Sequence, residues 1–166
     1  MNLRRGFTLI ELVLVLTITT AVLSMGISSF VSVEKQYLKK AAEDLRSDLR
    51  TMQRLSMAEG KSYTLRFLVN ADTTTNQYEI SYFDMGEKIL KIVTLPKGVT
   101  LLDTNAREYK ISYTRRGTIS GGGCSVILRN ENYNVALTLT PASGRVSIKE
   151  IRPTTDLFTI EELEEL

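Results

Sequence analysis

The sequence has no histidine, no tryptophan and a single cysteine, Cys124. Without histidine or a cysteine pair there is no soft-metal cluster and no His-assisted nucleophile. No carboxylate grouping has the spacing of a calcium loop. The expectation is therefore a non-enzymatic protein with no catalytic residue, no metal and no cofactor. A lone thiol excludes an internal disulfide, so the apolar core must hold the fold, and Cys124 is assigned a structural place. The glycine run at residues 121–123 lacks the Lys and Ser or Thr of a phosphate-binding loop, and no helical pattern follows it. It reads as a hairpin turn.

Charge of one sign is also scarce. The formal net charge is +2, and both excess positives, Arg4 and Arg5, precede Gly6. Beyond Gly6, 19 Lys and Arg face 19 Asp and Glu. Their distribution is uneven: residues 34–155 hold all 19 bases but 13 of the acids, and residues 156–166 hold five acids and no base. This is a modestly basic body with an acidic tail, suited to a polyanion at low salt and equally to an ordinary solvated surface.

Apolar residues, by contrast, are concentrated. Residues 7–33 form a run of 27 whose only charge is Glu11. As a helix this run would measure about 40 Å at ~1.5 Å per residue, enough to cross a hydrocarbon core of ~30 Å. A cleavable secretory signal fits poorly, because its apolar region is usually ~7–15 residues long and gains nothing from a carboxylate. A plain anchor explains the length but not Glu11, since a carboxylate at the bilayer centre costs roughly 2.5–3.5 kcal/mol and calls for a partner. A cut between Gly6 and Phe7 would create an α-amino group one helical turn from Glu11.

The run Arg4-Arg5-Gly6-Phe7-Thr8-Leu9-Ile10-Glu11 resembles the processing motif of type IV prepilins. The resemblance implies that a membrane-embedded prepilin peptidase cuts after Gly6 and methylates Phe7, and that Glu11 guides subunit docking during assembly. It also implies a bacterial cell-membrane location with a single pass and the C-terminal domain outside the cytoplasm, followed by transfer into a cell-surface filament. The implied partners are that peptidase, other pilins or pseudopilins, an inner-membrane assembly platform and membrane lipid.

After residue 33 the helical pattern continues but turns amphipathic. Leu38, Ala41, Ala42, Leu45, Leu49 and Met52 follow an i, i+3, i+4, i+7 stripe, while Lys39, Lys40, Arg46, Asp48 and Arg50 take other faces. The helix is expected to end near Ala58, with Gly60 as its stop. Alternation then marks strands at Tyr63, Leu65, Phe67 and Val69, at Tyr78, Ile80 and Tyr82, at Tyr109, Ile111 and Tyr113, and at Val135, Leu137 and Leu139. Turn residues cluster at 70–76, 84–86, 96–98, 121–123 and 141–144. The expected fold is α+β, a long N-terminal helix with a transmembrane half and an amphipathic half, packed on a small antiparallel β domain of two sheets. The divisions are a leader at 1–6, a transmembrane or filament-core helix at 7–33, an amphipathic half at 34–60, a β domain at 61–152 and an acidic tail at 153–166. In the tail, Thr159 and Glu162 form a capping box, and Ile160, Leu163 and Leu166 suit a short helix that covers a sheet or meets a neighbouring subunit.

Downstream segments are similar to the GspH/FimT class of minor pilins: residues 40–49, the run 114–123 before a strand, and Ser143-Gly144-Arg145-Val146-Ser147-Ile148 as the last strand. Among its branches the chain looks most like the competence minor pilin ComGD. The resemblance implies a structural minor pilin for DNA uptake in competence, with a type II secretion pseudopilin of the GspH kind as the alternative. A third reading is a pilus-displayed DNA receptor using Arg145, Lys149 and Arg152. Against direct DNA contact, the Gly-Arg-x-Arg motif of FimT-type uptake pilins is broken here by Ser147. A solvated basic strand edge accounts for the same residues.

Overall fold

The computed structural model describes residues 8–69 and 75–164, with the side chains of residues 23–32 and 164 outside the described set. The chain divides into two compact units, residues 1–34 and 35–166. One helix, α1 (Leu9–Glu59), contributes to both. Gly60 follows it at φ +65°, the left-handed conformation that commonly closes a helix and that glycine adopts without a Cβ penalty.

In the first unit α1 exposes a sequence of large apolar side chains, including Leu9, Ile10, Leu12 and Leu14. The hydroxyls there are satisfied within the helix. Thr17 Oγ1 donates to the Leu14 carbonyl at 2.8 Å, Thr19 to Val15 at 2.6 Å and Thr20 to Leu16 at 2.9 Å. Each would otherwise be an unpaired polar group wherever the segment meets an apolar environment. Among the described residues no helix is long and apolar enough to cross a membrane.

In the second unit the stripe Leu38, Ala41, Ala42, Leu45, Leu49 and Met52 is buried at 0–1% exposure. Each of its larger side chains contributes about 1.5–3 kcal/mol by leaving water. Among the described residues there are nine strands, most of which line the other side of this core: β1 (Tyr63–Leu68), β2 (Gln77–Phe83), β3 (Glu87–Thr94), β4 (Thr100–Thr104), β5 (Lys110–Tyr113), β6 (Cys124–Arg129), β7 (Tyr133–Leu139), β8 (Val146–Ile148) and β9 (Arg152–Pro153). They make two antiparallel sheets, one in the order β3-β2-β1-β5 and one in the order β4-β6-β7-β8, with β9 also pairing to β7. Both sheets turn alternate residues toward α1: Leu65, Phe67, Tyr78, Ile80, Ile111 and Tyr113 from the first, Val126, Leu128, Val135, Leu137 and Val146 from the second. The expected α+β architecture with two sheets is the one found.

The structure corrects two strand positions. Tyr109 does not alternate into the core with Ile111; it lies in a short 3-10 turn at φ +56° beside Glu108 at φ +54°, and is 46% exposed. Val69 falls beyond the end of β1 and is also exposed. The turn expected at 70–76 falls largely on residues 70–74, outside the described residues.

A final helix, α2 (Ile160–Glu164), belongs to a strap that covers the second sheet on the face away from α1. Phe158 and Leu163 pack there on Ile127 and Ala136. The fully buried Asn134 holds the strap: its Nδ2 donates to the carbonyls of Arg152 (3.4 Å), Pro153 (3.0 Å) and Asp156 (3.1 Å), and its Oδ1 accepts from the Phe158 N–H (3.2 Å). The Glu162 N–H donates to Thr159 Oγ1 at 3.3 Å, which is half of the expected capping box. Leu166 lies outside the described residues.

Candidate functional site

The processing site expected at Gly6 and Phe7 lies outside the described residues, but its C-terminal flank does not. Thr8 caps α1: the Glu11 N–H reaches Thr8 Oγ1 at 3.4 Å and the Thr8 carbonyl at 3.1 Å. Thr8 and Glu11 thus have the spacing of a capping box, which alternation and hydropathy do not reveal but the Thr-x-x-Glu spacing does. Glu11 is exposed and stands in the first turn, where a negative charge is favoured by the unpaired N–H groups of the helix start. A carboxylate here serves the helix and remains available to a cation.

The three basic residues singled out from the sequence do not share one environment. Arg152 is committed within the chain: its guanidinium meets Glu162 at 2.9 Å and Asp156 at 3.8 Å, and lies 4.1 Å from the centre of the Phe158 ring. Arg145 and Lys149 flank β8, the edge strand of the second sheet. Because Val146 and Ile148 turn toward the core, Ser147 alternates to the other side, while Lys149 lies just past the end of β8. Among the described residues neither cation is within ion-pair distance of a carboxylate.

What the sequence reading missed is that β8 runs beside a basic face of α1. Lys35, Lys39, Arg46, Arg50 and Arg54 recur at spacings of three to four or their sums, which places them on one side of a helix. A groove of about 550 Å³ is lined by Lys35, Lys39, Arg46, Ile148 and Lys149, with Glu43 and Glu150 as its acids. A neighbouring depression of about 610 Å³ is lined by Arg46, Arg50, Gln53 and Arg54. The Arg46 Nε atom is buried and has no hydrogen-bond partner among the described residues. The i, i+4 spacing of the bases was the signal that could have found this face.

Gln53 joins the helix to the loops around it. Its Nε2 donates to the Gly117 carbonyl at 2.8 Å and to the Ser143 carbonyl at 2.7 Å. Tyr113 Oη donates to the Gly144 carbonyl at 3.2 Å. The glycines of runs 114–123 and 143–148 are therefore where two loops close on α1. Cys124 is buried nearby in β6, and burial pushes its thiol up to about 12, so it stays protonated at neutral pH.

Residues 1–27 match the family described as the prokaryotic N-terminal methylation motif. Among solved structures, the type IV minor pilin FimU of Pseudomonas aeruginosa matches with a TM-score of 0.58 at 15% identity, over 70% of this chain and 91% of that one. The minor pseudopilin EpsH from the Type 2 Secretion System of Vibrio cholerae matches with a TM-score of 0.55 at 14% identity, over 68% of this chain and 95% of that one. The chain has a type IV pilin-like fold. No curated protein sequence matches it significantly. The matched residues 1–27 run into the first turns of α1, and the basic face lies on the half of α1 that packs on the sheets.

Proposed function

We propose that the chain is a structural minor pilin or pseudopilin, cleaved after Gly6, methylated at Phe7 and assembled into a type IV pilus-like filament. The observation that carries this reading is the methylation motif placed at the start of the helix of a pilin-like fold. Residues 7–33 anchor the precursor in the membrane as a single pass, with the folded domain outside the cytoplasm. Assembly then moves the segment into a filament core. Lipid and packed helices are similarly apolar, so burial alone gives little net drive for this transfer. Selectivity falls to side-chain packing and to pairing of Glu11 with the Phe7 amine of a neighbour. Prepilin peptidase, an inner-membrane platform and other pilins are the partners this requires.

The filament is assigned to DNA uptake in competence, with Arg145 and Lys149 as the remaining candidates for DNA contact. The likeness to EpsH favours a second reading, in protein secretion. Deleting the gene is expected to lower transformation by several orders of magnitude and leave release of secreted proteins unchanged. Loss of secretion with normal transformation would select the second reading.

A further inference from the structure

We propose that the basic face of α1 seats the acidic C-terminal strap of a second copy of the chain, joining subunits head to tail. On the first sheet the cations are matched: Arg66 with Glu79 at 3.3 Å, Lys91 with Asp48 at 2.6 Å and Lys61 with Asp84 at 3.5 Å. On the α1 face, among the described residues, only Lys39 has a carboxylate in reach, Glu43 at 4.0 Å.

The complementary surface is on the same chain. Beyond residue 155 there are five acids and no base. The strap does not float: Asn134, Arg152 and the buried Phe158 and Leu163 fix it on the second sheet, so Glu161 is presented in a set geometry. Asp156 and Glu162 are answered by Arg152, whereas Glu161 is exposed with no cation at ion-pair distance among the described residues. None of the described ion pairs joins the strap to the α1 face of its own chain. Each copy therefore offers one basic and one acidic surface, and neither cancels the other. Two different complementary patches on one chain make a heterologous contact, which propagates into open helical filaments unless its rotation closes a ring.

The proposal rests on the filament-subunit reading for its setting, where neighbours are held at high local concentration. Its test mixes unlabelled and heavy-nitrogen-labelled full-length chain in detergent and couples carboxylates to amines with a zero-length carbodiimide. Mass spectrometry then identifies the joined peptides. The expected result is isotopically mixed links from Glu161 or its acidic neighbours to Lys35, Lys39 or Lys149, falling roughly tenfold at high salt. The Arg46→Glu, Arg50→Glu double variant should lower them similarly. Mixing Glu161→Lys chains with that variant should restore linkage, with Lys and Glu exchanged between the two sides. Thermal melts of each variant establish that it is folded. Links confined to one isotope, mixed links indifferent to charge reversal, or capture of a short DNA duplex by these cations with no mixed links would each overturn the proposal. The filament reading is judged separately by the mature N-terminus, which these substitutions leave unchanged.

Discussion

Replacing Gly144 by alanine is expected to destabilise the folded domain by about 3 kcal/mol, the sum of a backbone and a packing cost. Gly144 sits at φ +63°, where a side chain costs roughly 1–2 kcal/mol. A Cβ added there would also meet Gln53 Nε2, the Gly117 carbonyl oxygen at 2.5 Å and Tyr113 Cε1 at 2.9 Å. None can yield alone, because Gln53 holds both loop carbonyls and Tyr113 bonds the Gly144 carbonyl. Gly121→Ala is the control: it too has a positive φ, +93°, but open space around the added carbon. Urea melts should show a larger midpoint shift for Gly144→Ala than for Gly121→Ala, with similar slopes. Equal shifts would mean that the close approach of loop to helix carries no energy.

Asn134→Ala should release the C-terminal strap. The substitution removes four hydrogen bonds from a side chain with no exposure, leaving three carbonyls and the Phe158 N–H without their partner. If the strap stayed in place, the Phe158 N–H would be a buried orphan at about 1–3 kcal/mol, and three part-buried carbonyls would lose their donor. The strap is expected to open more often than in the parent chain, with a loss of about 2–4 kcal/mol. Limited proteolysis should then cleave between residues 152 and 164 while the remaining domain survives. A strap as resistant as in the parent chain would show that Phe158 and Leu163 hold it without Asn134.

These two sites differ in how far the sequence discloses them. The α1 stripe is legible because one side of the helix faces the core and the other does not, so a period near 3.6 survives in the residues. β1 and β2 alternate for the same reason. The second sheet blurs that signal, since the strap buries Ile127 and Ala136 on its far face and β6 is buried at every position from Cys124 to Leu128. β3 is obscured by a bulge at Leu90 opposite the Ile80–Ser81 step, and by Ile89, Leu90 and Ile92 remaining exposed on an edge strand.

Function was less evenly written. The octapeptide around the proposed cleavage site is local, so its residues carry the whole message. Arg152 looked like a third member of a basic edge because proximity along the chain cannot show that Glu162 and Phe158 fold back onto it. The α1 basic face needs helix geometry to separate Lys39 and Arg46 from Lys40 and Asp48, and needs the fold to bring Lys149 alongside. The Ser-Gly-Arg-Val run is explained partly by packing: its glycine is the one that lets the loop reach α1.

The most direct test of a processed filament subunit is the mass of the N-terminal peptide of the mature protein purified from its native membrane. The account predicts a chain that begins at N-methyl-Phe7, with residues 1–6 absent. An intact leader, or a chain beginning near Gly26 as a secretory signal would leave it, would contradict the account.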